Sequence, residues 1–89
     1  MDKDKNVIEK FKTSNLNLAT FLTVKDFTLI KILNGSKRKT FVFEDSSELR
    51  ELVRLFSFGK DDDPELMVNG RKILSALREM KTRLYSNLT

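Results

Sequence analysis

The sequence predicts a small α+β domain of order α-β-β-α-α, a two-stranded antiparallel hairpin packed on helices. Three observations carry that reading. Residues 27–44 read FTLIKIL, NGSKRK and TFVFE: two apolar runs rich in β-branched and aromatic residues around Asn34-Gly35, the strongest short-range hairpin signal. Leu49, Leu52, Val53 and Phe56 fall at i, i+3, i+4 and i+7, one face of a helix. Ile73, Leu74, Leu77, Met80, Leu84 and Leu88 cover one side of a longer segment at the same period.

Taken in order, residues 1–12 form an N-terminal arm, partly disordered, and residues 13–89 a single domain. Val7, Ile8 and Phe11 are too few to define a period, so the arm reads as extended chain laid on the core, with a helical turn as the alternative. Thr13-Ser14-Asn15 are N-cap types, and Leu16 to about Thr23 follows as a short helix with Leu18, Phe21 and Leu22 inward.

In the hairpin, a turn at Asn34-Gly35 puts Ile30, Ile32, Phe41 and Phe43 on one face, which is core. The other face carries Phe27, Leu29, Leu33 and Val42, interrupted by Lys31, Arg38 and Thr40. A bulge or an odd-numbered loop would change that division. Asp45 to Glu48 has the D-x-x-E spacing of a capping box, Gly59 stops the helix that follows, and residues 60–64 (KDDDP) make a surface loop. Asn69 caps the last helix, about Gly70 to Ser86.

Composition excludes several function classes. The chain has no cysteine and no histidine, which removes disulfides, the usual zinc sites, imidazole bases and Cys-His or Ser-His pairs. No residue set pairs an activated nucleophile with a base, so the expectation is no enzyme, no cofactor, no metal and no small-molecule substrate. No apolar run approaches the ~18 residues of a membrane span, and the N-terminus lacks a signal-peptide core, so a cytoplasmic, intracellular protein is expected.

The net charge of +4 is unevenly distributed: residues 31–39 carry +4, residues 70–89 carry +4 and residues 44–65 carry −5. The hairpin tip projects Lys37, Arg38 and Lys39, which suit phosphate contact, although lysines at an exposed strand also block edge-to-edge aggregation. On the last helix Arg71, Arg78 and Tyr85 fall at i, i+7 and i+14 with Lys81 beside them, an arrangement that can hold bases or phosphates, or simply cover the edge of the core. Asp61-Asp62-Asp63 matches no calcium loop. Phe27, Leu29, Leu33 and Val42 make a face too apolar for simple exposure, the candidate protein interface.

Three stretches resemble one family. Thr13-Ser14-Asn15-Leu16-Asn17-Leu18-Ala19-Thr20-Phe21-Leu22, Thr40-Phe41-Val42-Phe43-Glu44-Asp45-Ser46 and Ala76-Leu77-Arg78-Glu79-Met80-Lys81-Thr82-Arg83-Leu84-Tyr85 are similar to short proteins grouped only as a domain of unknown function in bacteria, archaea and their viruses. The likeness covers about residues 11–86. It implies the order helix, hairpin, helix, helix and no activity, ligand or catalytic residue. Arg78, Lys81 and Tyr85 fall within its pattern, whereas Lys37-Arg38-Lys39 does not, and the loop from Phe58 to Pro64 is longer here.

The functional expectation is a small non-catalytic module contacting nucleic acid electrostatically through Lys37, Arg38, Lys39, Arg71, Arg78, Lys81 and Tyr85. The alternative is a protein-interaction module or virus-encoded inhibitor or adaptor, possibly homodimeric, using Phe27, Leu29, Leu33 and Val42.

Overall fold

A computed structural model describes residues 9–35 and 37–86. The elements are β1 (Lys10–Thr13), α1 (Leu16–Val24), β2 (Leu29–Asn34), β3 (Lys39–Glu44), α2 (Ser47–Phe58), a 3₁₀ turn (Pro64–Leu66) and α3 (Gly70–Ser86). The α+β class and the order helix, hairpin, helix, helix stand. A third strand is added, because part of the arm pairs with the hairpin.

The sheet is antiparallel, in the order β1-β3-β2, so β3 is central. Its register stacks the core in two rungs. Phe11, Phe43 and Leu29 align across the three strands, and so do Thr13, Phe41 and Ile32. Strand β1 is extended by one further bond, from the Asp45 N–H to the Glu9 carbonyl at 2.9 Å.

Between Leu29 and Lys31 the β2–β3 register shifts. Ile30 is the extra residue of this bulge, and the slip exchanges Leu29 and Ile30 in the division expected from simple alternation. Leu29 turns to the core and is 9% exposed, whereas Ile30 is 41% exposed. Ile32, Phe41 and Phe43 keep the core side. The loop spans residues 35–38 instead of a two-residue turn, and the Gly35 N–H donates to the Arg38 carbonyl at 2.9 Å. An even-numbered loop of this length preserves the alternation, so the bulge alone is responsible.

Helix α1 lies at the centre of the core, its Leu18, Phe21 and Leu22 facing inward as their spacing predicts. It buries Leu18, Ala19, Thr20, Phe21 and Leu22, which cluster with Leu29, Phe41, Phe43, Leu49 and Met80. Its start follows from Asn15, whose Oδ1 accepts the Leu18 N–H at 3.1 Å. Thr20 satisfies its buried hydroxyl by donating to the Leu16 carbonyl at 2.8 Å. The chain leaves α1 through Asp26, whose φ of 75° is the left-handed conformation that Asp tolerates better than most residues.

Helix α2 is capped by Ser46, whose Oγ accepts the Leu49 N–H at 3.1 Å. The capping role expected of Asp45 therefore passes to its neighbour, and Asp45 binds Arg50 instead. Leu49 is buried, and Phe56 packs on Phe21 with ring centroids 5.1 Å apart. Helix α3 starts at Asn69, whose Oδ1 accepts the Lys72 N–H at 3.1 Å. Met80 is its buried anchor, with Leu84 packed beside it. Leu74, expected on that apolar side, is 64% exposed, because at ~100° per residue it sits about 120° around the helix from Met80. Leu88, Val7 and Ile8 lie outside the described residues. Among the described residues no helix is long and apolar enough to cross a membrane.

Candidate nucleic-acid interface

All the described helices contribute to a core on one side of the sheet, the side of Phe11, Phe41 and Phe43. The other side is set by the same register. Lys12 of β1, Val42 of β3 and Lys31 of β2 form one rung across it, and Lys10 pairs with Glu44 in the next. Strands lie ~4.8 Å apart, so the Cα atoms of Lys12 and Lys31 are separated by roughly 10 Å, with Val42 between them. Lys10, Lys12 and Lys31 are all exposed, while Val42 is fully buried. Glu44 is the one carboxylate among the strand residues of this face.

The hairpin tip continues the same ribbon. Lys37 and Arg38 are exposed, and Ser36 lies outside the described residues. Lys39 is half-buried, and its ammonium donates to Asn34 Oδ1 across the last rung at 2.6 Å. That bond ties one of the three tip cations to the strand and leaves Lys37 and Arg38 as the outermost charges.

Arg71, Arg78, Lys81 and Tyr85 lie along the solvent side of α3, with Tyr85 68% exposed. Because α3 packs on α1, on the core side of the sheet, these residues do not share a face with Lys12 and Lys31. The seven candidate nucleic-acid residues thus lie in two groups, the tip and the helix, and the helix group is on the other side of the sheet from Lys12 and Lys31.

The candidate protein interface loses two of its four members. Val42 has no exposed surface and Leu29 is core, so neither can reach a partner. The bulge explains Leu29, and Val42 is the central member of its rung, with Lys12 and Lys31 on either side. Phe27 is half-buried against the core, and Leu33 remains 37% exposed.

Lys12 and Lys31 were absent from the sequence-based set. Their adjacency depends on β1 pairing with β3, and four residues reading Lys-Phe-Lys-Thr give only a faint alternation as a signal.

The acidic segment is partly neutralised from within. Arg50 donates to both Asp45 carboxylate oxygens, at 2.9 Å and 3.0 Å from Nε and 2.7 Å from Nη2. This hydrogen bonding holds the Asp45 carboxyl below its ordinary value of 3.8 and raises Arg50. Arg54 likewise pairs with Glu51 one turn away and lowers its pKa by hydrogen bonding. Arg50 and Arg54 are thus occupied, while Lys12, Lys31, Lys37 and Arg38 have no carboxylate partner among the described residues. Asp63 caps the 3₁₀ turn, its Oδ1 accepting the Glu65 N–H at 2.9 Å, and no group of carboxylates among the described residues is arranged to hold a metal ion.

Comparison with known proteins places residues 8–86 in a family described as a domain of unknown function, DUF5659, and the chain belongs to that family. No curated protein and no solved structure matches the chain significantly.

Proposed function

We infer that this member of the DUF5659 family is a non-catalytic module that contacts nucleic acid through the outer face of its sheet and the hairpin tip. The observation that carries this reading is the Lys12–Val42–Lys31 rung, continued along the ribbon by Lys37 and Arg38. Rows of cations of this kind follow a phosphate backbone without reading bases, since each cation that neutralises a phosphate releases counterions. The shifted carboxyl groups Asp45 and Glu51 owe their shifts to arginine partners on the surface, which favours a structural role for them over acid–base chemistry.

Titration of a labelled DNA duplex and a labelled single strand across a salt series tests the proposal. Four phosphate contacts give a log–log salt slope of about −3 to −4 on duplex DNA. Changing Lys12 and Lys31 together to Glu should abolish binding, as should changing Lys37, Arg38 and Lys39 together. Affinity that ignores salt and both sets of changes would overturn it.

A protein partner is the second reading. It is favoured by the exposure of Leu74 and Tyr85 on α3, two large apolar side chains set among cations on the side of the molecule away from the sheet lysines.

A further inference from the structure

Helix α3 carries a second periodic stripe outside its core face. Arg71, Leu74, Arg78, Lys81 and Tyr85 follow one another at spacings of three, four, three and four residues, the pattern with which one helix presents a seam to another. All five are exposed. None of the five is a carboxylate, and Glu79, about 100° around the helix from Arg78, lies in a cleft that Asp26 and Arg71 also line.

A groove elsewhere on the same domain has the opposite character. It runs along α2 between the α1–β2 connection and the 3₁₀ turn, with a volume of about 630 Å³. Half-buried Phe27, Leu52 and Leu55 supply its apolar surface, and exposed Glu48, Glu51 and Glu65 its charge. Its one cation, Lys25, sits 5.8 Å from the centroid of the Phe21 ring.

We propose that this groove receives α3 of a second copy of the chain. Leu74 enters against Phe27, Leu52 and Leu55, and Arg71 and Arg78, one turn to either side, meet Glu48 and Glu65, while Glu51 stays paired with Arg54. The lengths agree: Ser47 to Leu55 and Arg71 to Arg78 each span about two helical turns, roughly 10–12 Å at ~1.5 Å per residue. Pairing of α3 with its own symmetry mate is disfavoured, because Arg78 is the midpoint of the stripe and an antiparallel pair would oppose Arg78 to Arg78. The two complementary surfaces are distinct, and in a two-fold dimer the stripe of each copy enters the groove of the other, so that the same contact is made twice and the assembly closes. A contact of two turns is small, and affinity in the micromolar to millimolar range, about 10⁻⁶ to 10⁻³ M, is expected. Self-association of this kind is independent of the nucleic-acid reading, since it uses neither the sheet lysines nor the hairpin tip.

Sedimentation equilibrium of the full chain, without nucleic acid, is the test. The wild type should associate with rising concentration. A stripe variant, Leu74→Glu with Arg78→Glu, and a groove variant, Glu48→Lys with Leu55→Lys, should each sediment as a monomer with unchanged circular dichroism. Because each variant keeps the surface that the other lacks, an equimolar mixture of the two should recover a one-to-one complex. A wild type that stays monomeric up to ~1 mM, the weak end of that range, overturns the proposal. So does association that survives either variant, or a mixture of folded variants that remains monomeric. The single changes Leu74→Ala and Glu48→Gln, which perturb folding least, should each weaken association at least threefold, and no effect from either counts against the proposal.

Discussion

The guanidinium of Arg50 in α2 lies over the ring of Phe11 in β1, 5.4 Å from its centroid, while holding the Asp45 carboxylate in a forked pair. One side chain thereby links the edge strand, the end of β3 and the first turn of α2. Phe11 also fills the first core rung with Phe43 and Leu29.

Phe11→Ala should therefore release β1. A half-buried Phe forfeits less than the 3–5 kcal/mol of a fully buried one, so a loss of about 2 kcal/mol and a Tm lower by roughly 10 °C are expected in thermal unfolding.

The Asp45–Arg50 pair sets an acid limb. Its partner depresses the Asp45 pKa in the folded state below the ordinary 3.8. The pair's contribution is therefore fully present above the unfolded value and is lost as pH falls through the folded one. Denaturation of the wild type and of Asp45→Asn should differ at pH 6 and converge near pH ~2, while Arg50→Gln should raise the Asp45 pKa in an NMR titration.

The bulge at Ile30 makes adjacent residues unequal. Leu29→Ala should cost about 2–3 kcal/mol in chemical denaturation, because Leu29 is core, and Ile30→Ala less than about 1 kcal/mol. The reverse order would show that β2 pairs in simple alternation.

Gly59 ends α2 by close approach of its backbone. Its N–H donates to the Leu55 carbonyl at 2.7 Å, and a Cβ at this position would stand 2.6 Å from that oxygen. Gly59→Ala must loosen the last turn, and a loss of about 1–2 kcal/mol is expected from the broken capping bond.

Much of the fold was legible in local pattern. The α2 stripe of Leu49, Leu52, Val53 and Phe56 and the caps Asn15 and Asn69 are decided within a few residues of one another. Features decided by distant partners were not. Strand β1 has one large apolar residue, and its pairing partner lies 28 to 34 residues away. The bulge depends on how Leu29 and Ile30 compete for the space beside Phe43, which alternation alone cannot resolve. The same division holds for the candidate site: the run Lys37-Arg38-Lys39 is visible on inspection, whereas Lys12 and Lys31 become neighbours only through β3.

The separation between β1 and β3 also bears on the order of assembly. The hairpin closes a four-residue loop, but Thr13 meets Phe41, and Lys10 meets Glu44, only after a long stretch of chain has been brought round. Loop-closure entropy favours the local contact first. Strand β1 is therefore the late-docking piece, formed after the folding barrier is crossed and opened first on the way back. Substitutions in it should accelerate unfolding and leave the folding rate nearly untouched. Since Lys12 travels with that strand, local opening of β1 would remove one of the two lysines of the central rung while the helices and the hairpin stay folded.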